Sequence, residues 1–143
     1  ARPSVTPLFL LGTAATLVGA YIRAACYREL GTFFTFSLTI RDNHKLVTTG
    51  PYTLVRHPSY TGIVLLNIGM TLCIFGPGSW FAQAGADTAL GKCMVLYWIW
   101  QSGVLIMAVR RAPSEDEMLH RQFGGEWEEY ARKVPHMFIP HLL

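Results

Sequence analysis

The chain has 143 residues, of which 51% are apolar and 15% charged, with a formal net charge of +3. That length fits one domain, and so apolar a composition excludes an ordinary soluble domain and marks an integral membrane protein. The small positive charge, with no basic stripe interleaved with aromatics, excludes nucleic acid as the partner.

From Val5 to Ile22 there are 18 residues without a charge, close to the ~20 needed to cross the hydrocarbon core, and this is the first predicted span. It lacks the basic start and the small-residue cleavage site of a signal peptide. The chain does not begin with methionine, so spans ahead of Ala1 stay open. Arg23 to Glu29 is polar and reads as the end of the membrane passage. Gly31 to Ile40 alternates Phe34, Phe36, Leu38 and Ile40 with Thr35, Ser37 and Thr39, a pattern compatible with an extended segment or a short interfacial helix. Arg41 to Asn43 is a loop.

The stretch His44 to Gly62 is polar and turn-rich and runs straight into an apolar segment. Gly50-Pro51 signals a turn, and Pro58 biases His57 away from helical geometry while being well placed in a first helical turn. Arg56, His57 and Tyr60 therefore stand on irregular backbone at the mouth of a helix, a good position for binding a ligand. The second predicted span is Ser59 to Phe75, ended by Gly76-Pro77-Gly78. A weakly polar loop to Gly91 follows, and Cys93 to Val109 is the third span, closed by Arg110-Arg111. Cys26, Cys73 and Cys93 lie far apart in or beside apolar runs and predict no disulfide framework. His44, His57, His120, His136 and His141 form no metal-binding motif, so no metal is expected.

Three spans put successive loops on alternating sides. Arg23, Arg28, Arg41, Lys45 and Arg56 then share a face with Arg110, Arg111, Arg121, Arg132 and Lys133, against Arg2 and Lys92 on the other. The bias orients the first face toward the cytosol and brings two polar segments, 37–62 and 110–140, to one side of the bilayer. The second begins with Pro113, Ser114 as predicted N-cap and Glu117 spaced as a capping box, with Glu115 and Asp116 in the first turn. Leu119, Phe123, Trp127, Tyr130 and Val134 make one apolar stripe. Gly124-Gly125 predicts a kink or two shorter helices. Taken alone, Arg111 reads as a snorkelling cation and Glu115 as a helix-dipole carboxylate four residues on.

The motifs His44-x-Leu-Val-Thr-x-Gly-x-Tyr52, Arg56-His-Pro-Ser-Tyr-x-Gly62, Arg111-x-x-x-Glu-Asp, Phe123-Gly124, Trp127-x-x-Tyr130 and Val134-Pro occur in one order with a membrane hairpin between them. In this the chain resembles the isoprenylcysteine carboxyl methyltransferase family over about residues 31–141. The resemblance implies an all-α integral membrane enzyme of the endoplasmic reticulum with its site facing the cytosol. Its activity would be transfer of the methyl group of S-adenosyl-L-methionine to the carboxylate of a C-terminal prenylated cysteine, leaving S-adenosyl-L-homocysteine. It also implies that His44, Lys45, Leu46, Val47, Tyr52, His57, Pro58, Ser59, Tyr60 and Glu115 meet the cofactor and that Arg111 holds the substrate carboxylate. Ser37, Asp116 and Trp127 depart from the family's pattern. The alternatives are a phospholipid or other lipid methyltransferase and a sterol-reductase-like enzyme using NADPH, whose ending is similar; a silent membrane scaffold is a third.

Overall fold

The computed structural model describes residues 4–31 and 45–140. Among them the architecture is all helical: α1 Pro7–Leu30, α2 Pro58–Phe75, α3 Ala89–Val109, α4 Ala112–Phe123 and α5 Gly125–Lys133. Three runs are long and apolar enough to cross a membrane: Pro7–Leu30, Pro58–Phe75 and Ala89–Phe123, the last composed of α3 and its continuation into α4. The alternating stretch Gly31–Ile40 beyond its first residue, the Arg41–Asn43 loop and His44 lie outside the described residues. The chain divides into two compact units, residues 1–20 with 62–107 and residues 21–61 with 108–143.

The first unit is held by close helix approach rather than by a large apolar moment. Gly12, Thr16 and Gly19 of α1 recur at the same spacing as Gly62, Leu66 and Gly69 of α2, and the two rows meet. A Cβ added at Gly69 would lie 2.4 Å from Thr16 Oγ1, and one at Gly19 would lie 2.5 Å from the Gly62 carbonyl oxygen. In lipid, where apolar burial between helices gains little, such small-residue contact is what brings backbones together. Trp98 of α3 donates from Nε1 to Thr71 Oγ1 of α2 at 2.9 Å, and its ring meets Phe75 edge-on at 5.6 Å. The side chains of Leu96, Tyr97, Ile99, Trp100, Ile106 and Met107 are exposed on several faces of α3, as expected of a helix surrounded by hydrocarbon.

Several predicted boundaries move. The first span does not end at Ile22: α1 continues through the charged stretch to Leu30 and stops at Gly31, whose φ of +51° suits a glycine beyond a helix end. Its 24 residues extend about 36 Å, longer than the ~30 Å hydrocarbon core, so the charges can ride on helix outside it. The loop after α2 holds one π-helical turn, Phe81–Gly85, and α3 starts at Ala89 instead of Cys93. Thr88 accounts for the early start, since its Oγ1 accepts from the Gly91 amide at 3.0 Å, the bond of an N-cap.

In the second unit the capping box does not form. Arg111, not Ser114, precedes the first residue of α4; Pro113 sits in the opening turn, where no amide is needed, and the Glu115 amide donates to the Arg111 carbonyl at 3.0 Å. Ser114 is thus inside the helix, and Glu117 pairs with Arg121 one turn on. The expected interruption at Gly124-Gly125 is present as a break into two helices, with Gly124 at φ +52°. The stripe of Leu119, Phe123, Trp127, Tyr130 and Val134 lies on the less exposed side, while Glu126, Glu128, Glu129, Arg132 and Lys133 face out.

Candidate functional site

Within the second unit, the opening of α2 and the first turns of α4 meet around His57. Its ring is 7% exposed; Nε2 lies 2.8 Å from Asp116 Oδ1 and Nδ1 lies 3.5 Å from Glu115 Oε2. Asp116 accepts a second bond from Arg56 Nε at 3.0 Å, and the Tyr60 hydroxyl donates to Glu115 Oε1 at 2.6 Å. Two successive carboxylates on α4 thus grip three side chains from residues 56–60. The helix start explains the reach: with Ala112 as first residue, Ala112 and Asp116 fall on one buried face and Glu115 lies beside them.

The C-terminal run after α5 closes over the same segment. The amides of Arg56 and His57 donate to the carbonyls of His136 and Met137, each at 2.9 Å, and Thr61 Oγ1 donates to the Phe138 carbonyl at 2.6 Å. Arg56 Nη1 adds bonds to the carbonyls of Val134 at 3.1 Å and Pro135 at 2.8 Å. Pro58 forces the His57 backbone out of the helix, so the amides of Arg56 and His57 are available to this run. The Tyr130 hydroxyl donates to the Tyr52 carbonyl at 2.8 Å, tying α5 to the short 3-10 turn Gly50–Thr53. Burial pushes the Tyr130 phenol up to about 12, with Arg56 opposing and Asp116 adding to the shift. Burial, reinforced by Cys26, likewise pushes Tyr52 well above the ordinary tyrosine range. Both phenols therefore stay neutral hydrogen-bond donors at physiological pH.

The structure brings together His57, Pro58, Ser59, Tyr60 and Glu115 of the predicted site. Pro58 is buried as the first residue of α2, and Ser59 accepts from Arg23 Nη1 through its carbonyl at 3.4 Å and its Oγ at 3.3 Å. Tyr52 joins them through Tyr130 and is close enough to Glu115 for its phenol to feel that charge. Arg111 is half-buried and acts electrostatically on the Tyr60 hydroxyl, yet it forms no ion pair among the described residues, not even with Glu115 four positions on. Lys45 is exposed and Leu46 and Val47 half-buried, with no hydrogen bond or ion pair joining them to the cluster among the described residues. His44 lies outside the described residues.

Sequence reasoning missed Asp116 and Arg56 as the centre of this network. The available signal was Asp116 itself: a carboxylate four residues after Ala112 on the same face as Leu119 and Phe123 is in register with the apolar stripe, and a charge there needs a partner. Trp127, set against His120 at 5.0 Å between ring centroids and 6.0 Å from the Arg56 guanidinium carbon, packs beside that ion pair.

Comparison with known proteins places the chain in a family. The family described as "Isoprenylcysteine carboxyl methyltransferase (ICMT) family" matches residues 10–86, from α1 through the His57 segment and α2. A probable protein-S-isoprenylcysteine O-methyltransferase of Oryza sativa subsp. indica is 31% identical over 134 residues, covering 92% of this chain and 61% of the relative. Protein-S-isoprenylcysteine O-methyltransferase B of Arabidopsis thaliana is 31% identical over 126 residues, 87% of this chain and 55% of the relative. A Delta(14)-sterol reductase of Mus musculus is 22% identical over 151 residues, 99% of this chain and 32% of that protein. The chain thus spans about three-fifths of the length of the plant methyltransferases it matches. With the family matching more than half of its residues, and its segment built around His57-Pro58-Ser59-Tyr60, the chain belongs to the isoprenylcysteine carboxyl methyltransferase family.

Proposed function

We propose that this chain is a membrane-embedded domain, residues 1–143, that methylates the C-terminal carboxylate of a prenylated cysteine, at a site facing the cytosol from the endoplasmic reticulum membrane. The observation that carries the reading is the half-buried Arg111, without a carboxylate partner among the described residues, next to the Tyr60–Glu115 pair. A guanidinium held away from water and unneutralised suits an anionic ligand, and its fork matches a carboxylate through two parallel bonds.

The donor set also fits S-adenosyl-L-methionine. When bound, that cofactor supplies an electrophilic methyl: the carboxylate oxygen forms the new O–C bond as the S–C bond breaks and its electron pair passes to sulfur. Glu115, which receives one bond from Tyr60 and faces His57, keeps acceptor positions free for amino or hydroxyl donors. Tyr52, Ser59 and Tyr60 supply neutral polar edges, and His44, Lys45, Leu46 and Val47 would complete the cofactor surface. A substrate carboxylate is already ionised at neutral pH, so no side chain has to move a proton. What the residues must do is align the carboxylate and exclude water. The apolar faces of the helices would receive the prenyl chain, whose burial gains ~25 cal/mol per Å².

The test is calorimetric binding to the detergent-solubilised chain. S-adenosyl-L-homocysteine is expected to bind, with Glu115→Ala weakening it about tenfold or more, as loss of a charged hydrogen-bond acceptor should. NADPH is expected not to bind. Binding of NADPH without S-adenosyl-L-homocysteine would transfer the chain to the chemistry named for its sterol-reductase relative.

A further inference from the structure

We infer that Arg23 is a second carboxylate-binding residue of this site, holding a carboxylate of one of the two reactants; this rests on the methyl-transfer reading above. In the second unit three of the described arginines and lysines are not fully exposed: Arg23, Arg56 and Arg111. Arg56 is neutralised by Asp116 at 3.0 Å. Arg23 has no charged partner among the described residues: its guanidinium donates to the Ser59 carbonyl at 3.4 Å, to Ser59 Oγ at 3.3 Å and to the Tyr27 hydroxyl, and stands 5.1 Å from the Tyr27 ring centroid. Every one of these partners is uncharged. A guanidinium has five N–H donors, and these bonds use three of them, which leaves two without a partner among the described residues.

The position is as informative as the missing charge. Arg23 stands one turn before Tyr27 on α1, in the part of that helix that continues past the predicted end of the span. From there it lies on Ser59, inside the segment that carries His57 and Tyr60. A half-buried cation costs free energy to desolvate, and neutral acceptors compensate only part of it. The proposed reaction brings together two carboxylates, one on the prenylcysteine and one on the amino-acid end of the methyl donor. Arg111 accounts for one of them. The structure offers Arg23 as the cation for the other.

Matched probe pairs distinguish the two sources. Calorimetry on the whole chain would compare S-adenosyl-L-homocysteine with its decarboxylated analogue, and N-acetyl-S-farnesylcysteine with N-acetyl-S-farnesylcysteamine, which lacks the carboxylate. The unaltered chain is expected to favour the carboxylate-bearing member of each pair by about 10- to 100-fold, the range for a charge-assisted hydrogen bond. Arg23→Gln should abolish that preference in one pair while leaving the affinity for its decarboxylated member within about twofold; the pair affected identifies the carboxylate. Arg23→Lys, which keeps the charge but not the fork, should retain part of the preference and guards against a Gln variant that does not fold. Equal weakening of both members, or preferences untouched in both pairs, would overturn the inference and leave a structural role for Arg23. Failure of the unaltered chain to bind S-adenosyl-L-homocysteine would instead remove the reading on which the inference rests.

Discussion

Arg111→Lys is expected to lower kcat/KM for a prenylcysteine acceptor about 100-fold while changing the affinity for S-adenosyl-L-homocysteine by no more than about twofold. The charge survives the substitution, so ordinary electrostatic attraction remains; what is lost is the planar fork that fixes both carboxylate oxygens at once. A loss of about 100-fold corresponds to ~2.7 kcal/mol of transition-state stabilisation, within reach of charge-assisted hydrogen bonds and precise alignment. The backbone of Arg111 already serves α4 through its carbonyl, which accepts from the Glu115 amide, and a lysine keeps that bond. Steady-state kinetics beside calorimetry checks the split. Parallel losses in turnover and cofactor affinity would move Arg111 from the acceptor to the cofactor.

Asp116→Ala is expected to destabilise the second unit by about 3 kcal/mol or more, the cost of breaking a buried ion pair from one side. Arg56 and Asp116 are 14% and 13% exposed, so solvent screens them little. Removing the carboxylate strands the Arg56 charge and takes the 2.8 Å partner from His57 Nε2. The damage would not stop there, because Arg56 also holds the carbonyls of Val134 and Pro135 and its amide bonds His136. Denaturant unfolding in detergent measures the loss, and proteolysis after Val134 should become faster as the C-terminal run loosens. Asp116→Glu, which keeps the charge on a longer side chain, should recover more than half of the stability. If Asp116→Ala unfolds at the same denaturant concentration as the unaltered chain, the network is decorative.

The parts of the fold legible in the sequence are those written in local composition. Three apolar runs gave three spans, Pro58 gave the start of α2, and Gly124 gave the break between α4 and α5. The readings that moved are those where local chemistry fits two structures. Arg23, Arg28 and Glu29 look like the polar end of a membrane passage, yet nothing between Pro7 and Gly31 forbids helix, and the helix continues. Ser114 and Glu117 have capping-box spacing, but a helix already nucleated at Ala112 leaves the serine no free amide to cap.

For the site, the cluster of His57, Tyr60 and Glu115 followed from motif spacing together with the family resemblance. Asp116 did not, because an acidic residue in a first helical turn reads as a dipole partner until its face is known. The bonds from Arg56 to Val134 and Pro135 join positions 78 and 79 residues apart, and no local pattern carries such a contact. In the sequence Arg23 is only a topological marker on the cytosolic face; its contacts with Ser59 and Tyr27 join positions that no local pattern connects.

The most direct measurement is transfer of label from S-adenosyl-L-[methyl-3H]methionine to N-acetyl-S-farnesylcysteine by the purified chain in lipid bilayers, scored by release of volatile methanol in base. A carboxyl methyl ester hydrolyses under those conditions, so the account predicts base-labile label that depends on the acceptor and is nearly lost in Arg111→Lys. Label that resists base and appears in the bilayer phospholipid would contradict it, because methyl transfer to an amine has no carboxylate for Arg111 to hold.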